Sequence, residues 1–209
     1  MRKRASASRE RILRQGLDLM SQQGLSGVTL GQMAERVGMS KSGLFAHFRS
    51  KEDVQIGLLE YLTRFAAPYV VEPALKEAEG LPRLEALVRH WLGWSHRAGL
   101  LGGCPVAAAL FELDDVEGPV REKVAALEAD WRGWLGQLVR RAVDLGQLRQ
   151  DLDVDQFVWE LCGIYLSHHA AHRFLRHPDA DARARTAFEA LLERARPAEG
   201  KRREGERES

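Results

Sequence analysis

TLGQMAERVGMSKSGLFAHFRSK, residues 29–51, is the stretch whose reading decides the fold. Thr29 is placed to cap a short helix, its hydroxyl accepting the backbone N–H of Gln32 while the Gln32 side chain reaches back to the Thr29 N–H. Leu30, Met33, Ala34 and Val37 recur at helical spacing and give that helix one apolar face, with Gln32, Glu35 and Arg36 on its wet side. Gly38 ends it, because glycine takes the positive φ that a sharp exit needs, and Ser40 at once caps a second helix of barely two turns. There Leu44 and Phe48 lie one turn apart and pack on the first helix, which leaves Lys41, Ser42, Phe45 and His47 toward the outside and Gly43 between them. Short polar side chains, one cation and a ring suit a recognition helix, with donors for phosphates and base edges and a face for a sugar or a thymine methyl. The bland alternative is an ordinary helical hairpin; caps, turn glycine and charge all favour the helix-turn-helix.

Working outward, charge follows the same division. The 209 residues carry a formal charge of +1, yet residues 1–51 hold ten Lys or Arg against three Asp or Glu, and the remainder 21 against 27. The basic end is the helix-turn-helix end, as expected if one lobe meets phosphates and the other does not. Upstream, Met1–Ser8 is a basic arm, expected to be unstructured until it lies along a minor groove or a phosphate run, or else a solvated tail. Ser6 or Ser8 can cap a bracing helix that buries Ile12, Leu13, Leu17 and Met20 and ends near Gly24. Downstream, Ser50 opens a long helix with Glu52 and Asp53 in its first turn and Lys51 at its mouth, where the ammonium can reach a phosphate. Pro68 is expected to kink or end that helix.

From Arg9 to about Leu62 the chain resembles the N-terminal domain of the TetR family of one-component transcriptional regulators. The resemblance is carried by Thr29, Ala34, Val37 and Gly38, Ser40, Gly43, Phe45, His47 and Phe48, and Lys51 and Glu52. One departure is Phe45, which stands where the family usually has tyrosine and so lacks a hydroxyl for phosphate. The resemblance implies a DNA-binding site drawn from Thr29, Gln32, Ser40, Lys41, Ser42, Gly43, Phe45, His47 and Lys51. It also implies an all-helical chain of about nine helices: an arm and DNA-binding domain over 1–51 (the family domain reaching about 66) and an effector-binding and dimerisation domain over 52–197. Beyond Pro197 the residues alternate charge, and a disordered tail is expected over 198–209.

The second lobe reads as helices throughout. Pro82 starts one whose Leu84, Leu87, Val88, Trp91, Leu92 and Trp94 run toward Gly99, and Val106–Leu113 forms a short one after Cys104 and Pro105. The Gly-Cys-Pro opening, Glu-Leu-Asp close and Gly-Pro-Val-Arg restart resemble the effector domains of one group of TetR-like regulators, in which this short helix often shifts on ligand binding. Val120–Gly146 is the longest helix, Asp153 with Gln156 caps the next, and a last one restarts at Pro178. In the family the final two helices form a four-helix bundle with a second subunit, which implies a homodimer interface through Phe157, Leu161, Ala171, Phe188, Leu191 and Leu192.

The tryptophans at 91, 94, 131, 134 and 159 allow a core reading or a pocket reading. In the pocket reading, Leu62, Phe65, Tyr69, Trp91, Trp94, Phe111, Trp131, Trp134, Tyr165 and His168 meet a small hydrophobic effector. His168 and His172 share a helix face, but no third ligand is evident, so no metal and no cofactor are expected. Ser167 beside His168 could hint at a hydrolase; adjacent helical residues diverge by about 100°, and no strained turn presents the serine, so no enzyme is expected. Two cysteines without CxxC spacing, and no window apolar enough to span a bilayer, predict a cytoplasmic protein with no membrane partner. The expected partners are a palindromic double-stranded operator, an effector and a second copy of the chain, with repression the family's commonest mode. A ligand-independent helical DNA-binding protein is the alternative.

Overall fold

Ten helices follow one another through residues 2–198, which the computed structural model describes, and no strand occurs among the described residues. They are α1 (Arg2–Gly27), α2 (Leu30–Val37), α3 (Lys41–Phe45), α4 (Lys51–Leu75), α5 (Leu81–Trp91), α6 (Trp94–Arg97), α7 (Pro105–Glu112), α8 (Pro119–Asp144), α9 (Val154–Arg173) and α10 (Ala180–Ala195). The all-helical expectation holds, with ten helices where about nine were foreseen. The chain divides into two units, Met1–Tyr69 with Trp94–Ala129, and Val70–Gly93 with Asp130–Ser209.

In the first unit the stripe Ile12, Leu13, Leu17 and Met20 of α1 is buried together with Met33, Leu44, Phe48, Val54, Leu58 and Leu59. Each such side chain contributes roughly 1.5–3 kcal/mol by leaving water, which is why helices as short as α2 and α3 persist. α1 packs on α2 and on α7, and α2 packs on α3. Asp53 N–H donates to the Ser50 hydroxyl at 3.1 Å, the cap expected for α4. In the second unit α9 and α10 pack on each other. Ties within that unit include Leu81 N–H to Gln147 Oε1 at 2.6 Å, Arg149 N–H to the Ala195 carbonyl at 2.9 Å, and Arg194 Nη2 to Glu160 Oε2 at 2.5 Å. Asp153 caps α9 by accepting Gln156 N–H at 3.0 Å, as its spacing predicts.

Three expectations are corrected. α1 begins at Arg2, so the described part of the arm, residues 2–8, is helical and neither Ser6 nor Ser8 is its cap; residues 2–15 contain neither proline nor glycine, and nothing local stops the helix. α4 runs to Leu75 through Pro68 and Pro73. A proline removes one backbone bond at a local cost of about 3 kcal/mol; the burial of Leu62, Val70 and Ala74 on the same helix offsets it. The helix expected from Pro82 toward Gly99 is two, because Leu92 leaves helical geometry at ψ 123° and Gly93 turns at φ 68° before α6 begins. The expected tail over 198–209 lies, apart from Ala198, outside the described residues.

Candidate nucleic-acid interface

The geometry of residues 29–51 follows from its caps. Gln32 N–H donates to Thr29 Oγ1 and Thr29 N–H donates to Gln32 Oε1, both at 3.2 Å, completing a capping box. Gly38 adopts the left-handed conformation at φ 66°, ψ 37°, which a side chain would strain, and its N–H and that of Met39 return to the Glu35 and Ala34 carbonyls at 3.1 and 2.9 Å. Ser40 Oγ accepts Gly43 N–H at 3.0 Å and lies 3.0 Å from Ser42 Oγ. Leu44 and Phe48 are buried, and the Arg9 guanidinium stands 4.8 Å from the Phe48 ring centroid. The turn is therefore fixed from both sides.

What remains outside is the surface of α3. Lys41 and Ser42 are exposed, Phe45 is 51% exposed, and Gly43 and His47 are half-buried. Arg36, Arg49 and Lys51 are exposed beside it. Among the described residues none of Arg36, Lys41, Arg49 or Lys51 is paired with a carboxylate, which leaves their charge for another anion. Thr29 and Gln32 are exposed or half-buried, but their polar groups already serve the cap, and Gln32 Nε2 also donates to Gln23 Oε1 at 3.1 Å. Lys51 Nζ donates to the Ser26 carbonyl at 2.7 Å.

Sequence reasoning missed the anchoring of the chain between α1 and α2. Gly24 breaks α1 at φ 76°, ψ 176°. Beyond the break, Leu25 N–H and Ser26 N–H donate to Glu112 Oε2 and Oε1 of α7 at 2.7 and 2.5 Å, and Gln55 Nε2 of α4 donates to the Leu25 carbonyl at 2.8 Å. No periodicity signals partners 87 residues apart.

The residues expected at an effector site fall into both units. In the first, Phe65 stacks on Tyr61 at 6.2 Å and lies 5.7 Å from Tyr69, with the Arg14 guanidinium 4.8 Å over the Phe65 ring; Leu62 and Trp94 are buried. Burial holds the Tyr61 hydroxyl above its ordinary pKa, and Glu10 adds to this. Phe111 is 66% exposed rather than enclosed: Glu112 turns toward α1, and its neighbour on the helix points elsewhere. In the second unit, Trp91 stacks on Tyr165 at 4.0 Å and meets Trp131 edge-on at 5.0 Å, with Trp134 5.3 Å beyond. Trp131 Nε1 is buried without a hydrogen-bond partner among the described residues. His168 is buried with Nε2 2.7 Å from Asp181 Oδ1, a bond that holds the Asp181 carboxyl below its ordinary pKa. Burial also lowers His169.

Of the residues expected at a dimer interface, Phe157, Leu161, Phe188, Leu191 and Leu192 are buried within the unit in which α9 and α10 pack, and Ala171 is half-buried. The outer face of α9 carries instead Trp159, 68% exposed, then Gly163, Ser167 and Ala170.

Comparison with known proteins places these features. Residues 12–55 match the family model described as bacterial regulatory proteins, tetR family, and residues 80–188 match the tetracyclin repressor-like C-terminal domain. The transcriptional regulator AcuR of Cereibacter sphaeroides is 27% identical over 154 residues, covering 72% of this chain and 69% of its own. The nucleoid occlusion factor SlmA of Cronobacter sakazakii is 28% identical over 179 residues, covering 85% and 90%. A TetR transcriptional regulator from Chloroflexus aurantiacus shares the fold with a TM-score of 0.80 at 23% identity, covering 92% of this chain and 95% of that one. With its second domain matched over more than half the chain and its head matched separately, the protein belongs to the TetR family of bacterial transcriptional regulators.

Proposed function

We propose that the protein is a repressor that binds a palindromic operator as a homodimer and is released by a small hydrophobic effector. The observation that carries the operator reading is the outer face of α3, where Lys41, Ser42 and half-exposed Phe45 stand clear of the core between two capped turns. In this reading Ser42 and Phe45 meet base edges, Lys41, Ser40 and Lys51 meet phosphates, Gly43 lets backbone approach closely, and Thr29, Gln32 and His47 flank the contact. AibR, whose crystal structure is a complex with isovaleryl coenzyme A and operator DNA, shares the fold with a TM-score of 0.65 at 22% identity, covering 85% of this chain and 97% of that chain.

The dimer forms through α9 and α10. Gly163 lies inside α9 with nothing within 4 Å of an added Cβ, a placement that costs a lone helix about 1 kcal/mol relative to alanine. A second backbone lying there would make use of the space, and Trp159 beside it would leave water. The effector lies against the aromatic side chains of the second unit, Trp91, Trp131, Trp134 and Tyr165, and the unpartnered Trp131 indole N–H supports a ligand bearing an acceptor. Release is a population shift between dimers whose heads do and do not match successive major grooves. The protein acts in the cytoplasm; among the described residues no helix is long and apolar enough to cross a membrane.

Selection of duplexes from a random pool tests the reading. The expected product is an inverted repeat with half-sites about one DNA turn apart or slightly more; a pool that stays random, or a single unrepeated half-site, contradicts it. Thermal denaturation with a panel of acyl compounds, aromatics and dyes tests the effector, since a ligand of the folded state raises the melting temperature. The alternative reading is DNA binding without an effector, in which the stacking of Trp91 on Tyr165 at 4.0 Å is core packing, and a panel with no hit would support it.

A further inference from the structure

In an unbroken helix the N–H groups of Leu25 and Ser26 would bond the carbonyls of Ser21 and Gln22, four residues back. Gly24 interrupts that ladder, and the segment from Gly102 to Glu112 takes up what the break sets free. Glu112 accepts both N–H groups, one on each carboxylate oxygen, while Gly103 N–H donates to the Ser21 carbonyl at 3.2 Å and Gly102 N–H to the Ser21 hydroxyl at 3.0 Å. The carbonyls that follow are held from α4, Leu25 by Gln55 and Ser26 by Lys51. Val28 is buried and Thr29 already caps α2, so only four residues separate the break from the DNA-reading helices.

We propose that Glu112 is a positioning residue for DNA recognition: its carboxylate holds α1 in the broken form and so fixes the direction in which α2 and α3 leave it. The inference rests on the reading of α3 as the DNA-contacting helix. A carboxylate can accept two backbone N–H groups at once through charge-assisted bonds, whereas a carboxamide of the same shape turns a donor toward one of them. Without the acceptor, Leu25 and Ser26 can return to the Ser21 and Gln22 carbonyls, which gives the end of α1 two discrete arrangements. Gly102 fits the same picture, since an added Cβ there would stand 1.7 Å from the Ser21 carbonyl oxygen.

The test uses the full chain as wild type, Glu112→Gln and Gly102→Ala, with a duplex selected by the wild type and a random duplex, all affinities corrected for active fraction. Glu112→Gln should weaken the selected duplex by about tenfold and the random duplex by less than about twofold, and the Leu25 and Ser26 amides should exchange faster without DNA. Gly102→Ala should do the same with Glu112 intact. Because glutamine keeps the volume of glutamate, a packing role predicts wild-type behaviour for Glu112→Gln; that result, or equal weakening on both duplexes, overturns the proposal. A wild type that selects no duplex overturns the operator reading and the positioning role together, whereas one that selects a duplex bound equally by Glu112→Gln overturns the positioning role alone.

Discussion

Lys51 Nζ donates to the Ser26 carbonyl at 2.7 Å, so the first residue of α4 is bonded to the backbone just ahead of α2. An ammonium has three donors, and this bond uses one of them. Lys51→Ala should weaken selected and random duplexes alike and lower the salt slope of binding by about 1. An unchanged slope would mean that Lys51 serves the Ser26 carbonyl and no phosphate.

Phe45 is 51% exposed and contributes little to the core. Phe45→Ala should therefore change unfolding free energy by less than about 0.5 kcal/mol while weakening the selected duplex. Phe45→Tyr adds the hydroxyl that the chain lacks here and should tighten binding. Ser42→Ala should change the ranking of operator variants; uniform weakening would make Ser42 a phosphate contact.

The caps make separable contributions to stability. Thr29→Ala removes the acceptor for Gln32 N–H and should cost about 1 kcal/mol in urea unfolding. Gly38→Ala forces a side chain into the left-handed region at φ 66° and should cost about 1–2 kcal/mol. A Gly38→Ala chain as stable as wild type would show that the turn relaxes.

Two groups of α9 and α10 give stability a pH dependence. The bond from His168 holds the Asp181 carboxyl below its ordinary value, so its contribution is present above about pH 4 and is lost as pH falls through the folded, lower value. Burial, reinforced by Arg173, lowers His169, so the unfolded chain takes up that proton first and stability declines as pH drops below about 6.5. His168→Ala should return the Asp181 titration, followed by carboxyl NMR, toward the ordinary value. No movement would remove His168 as the cause.

On the dimer face, Gly163→Leu places a branched side chain where a second backbone is proposed to lie. It should shift the protein toward monomer in sedimentation and leave the helical content intact. A Gly163→Leu dimer as tight as wild type would place the interface elsewhere.

What could be read from the chain was local. Thr29 with Gln32, Gly38, Ser40, Ser50 and Asp153 each announce a cap within four residues, and the structure forms every one of those bonds or turns. The resemblance implies an interface through Phe157, Leu161 and Phe188, but an apolar side chain does not tell whether it meets its own chain or another, and these three are buried within the chain. Pro68 misled for a related reason, because a local penalty was read without the burial on either side of it. Glu112 was silent: a carboxylate gives no sign in sequence that its partners are two backbone N–H groups far upstream.

Gly102 offers a genetic entry point. In a library screened for variants that still fold but no longer respond, any replacement at residue 102 must push its segment away from Ser21, so the position should tolerate a single letter. Gly133, with open space on every side of where a methyl would stand, should pass through the same screen unnoticed.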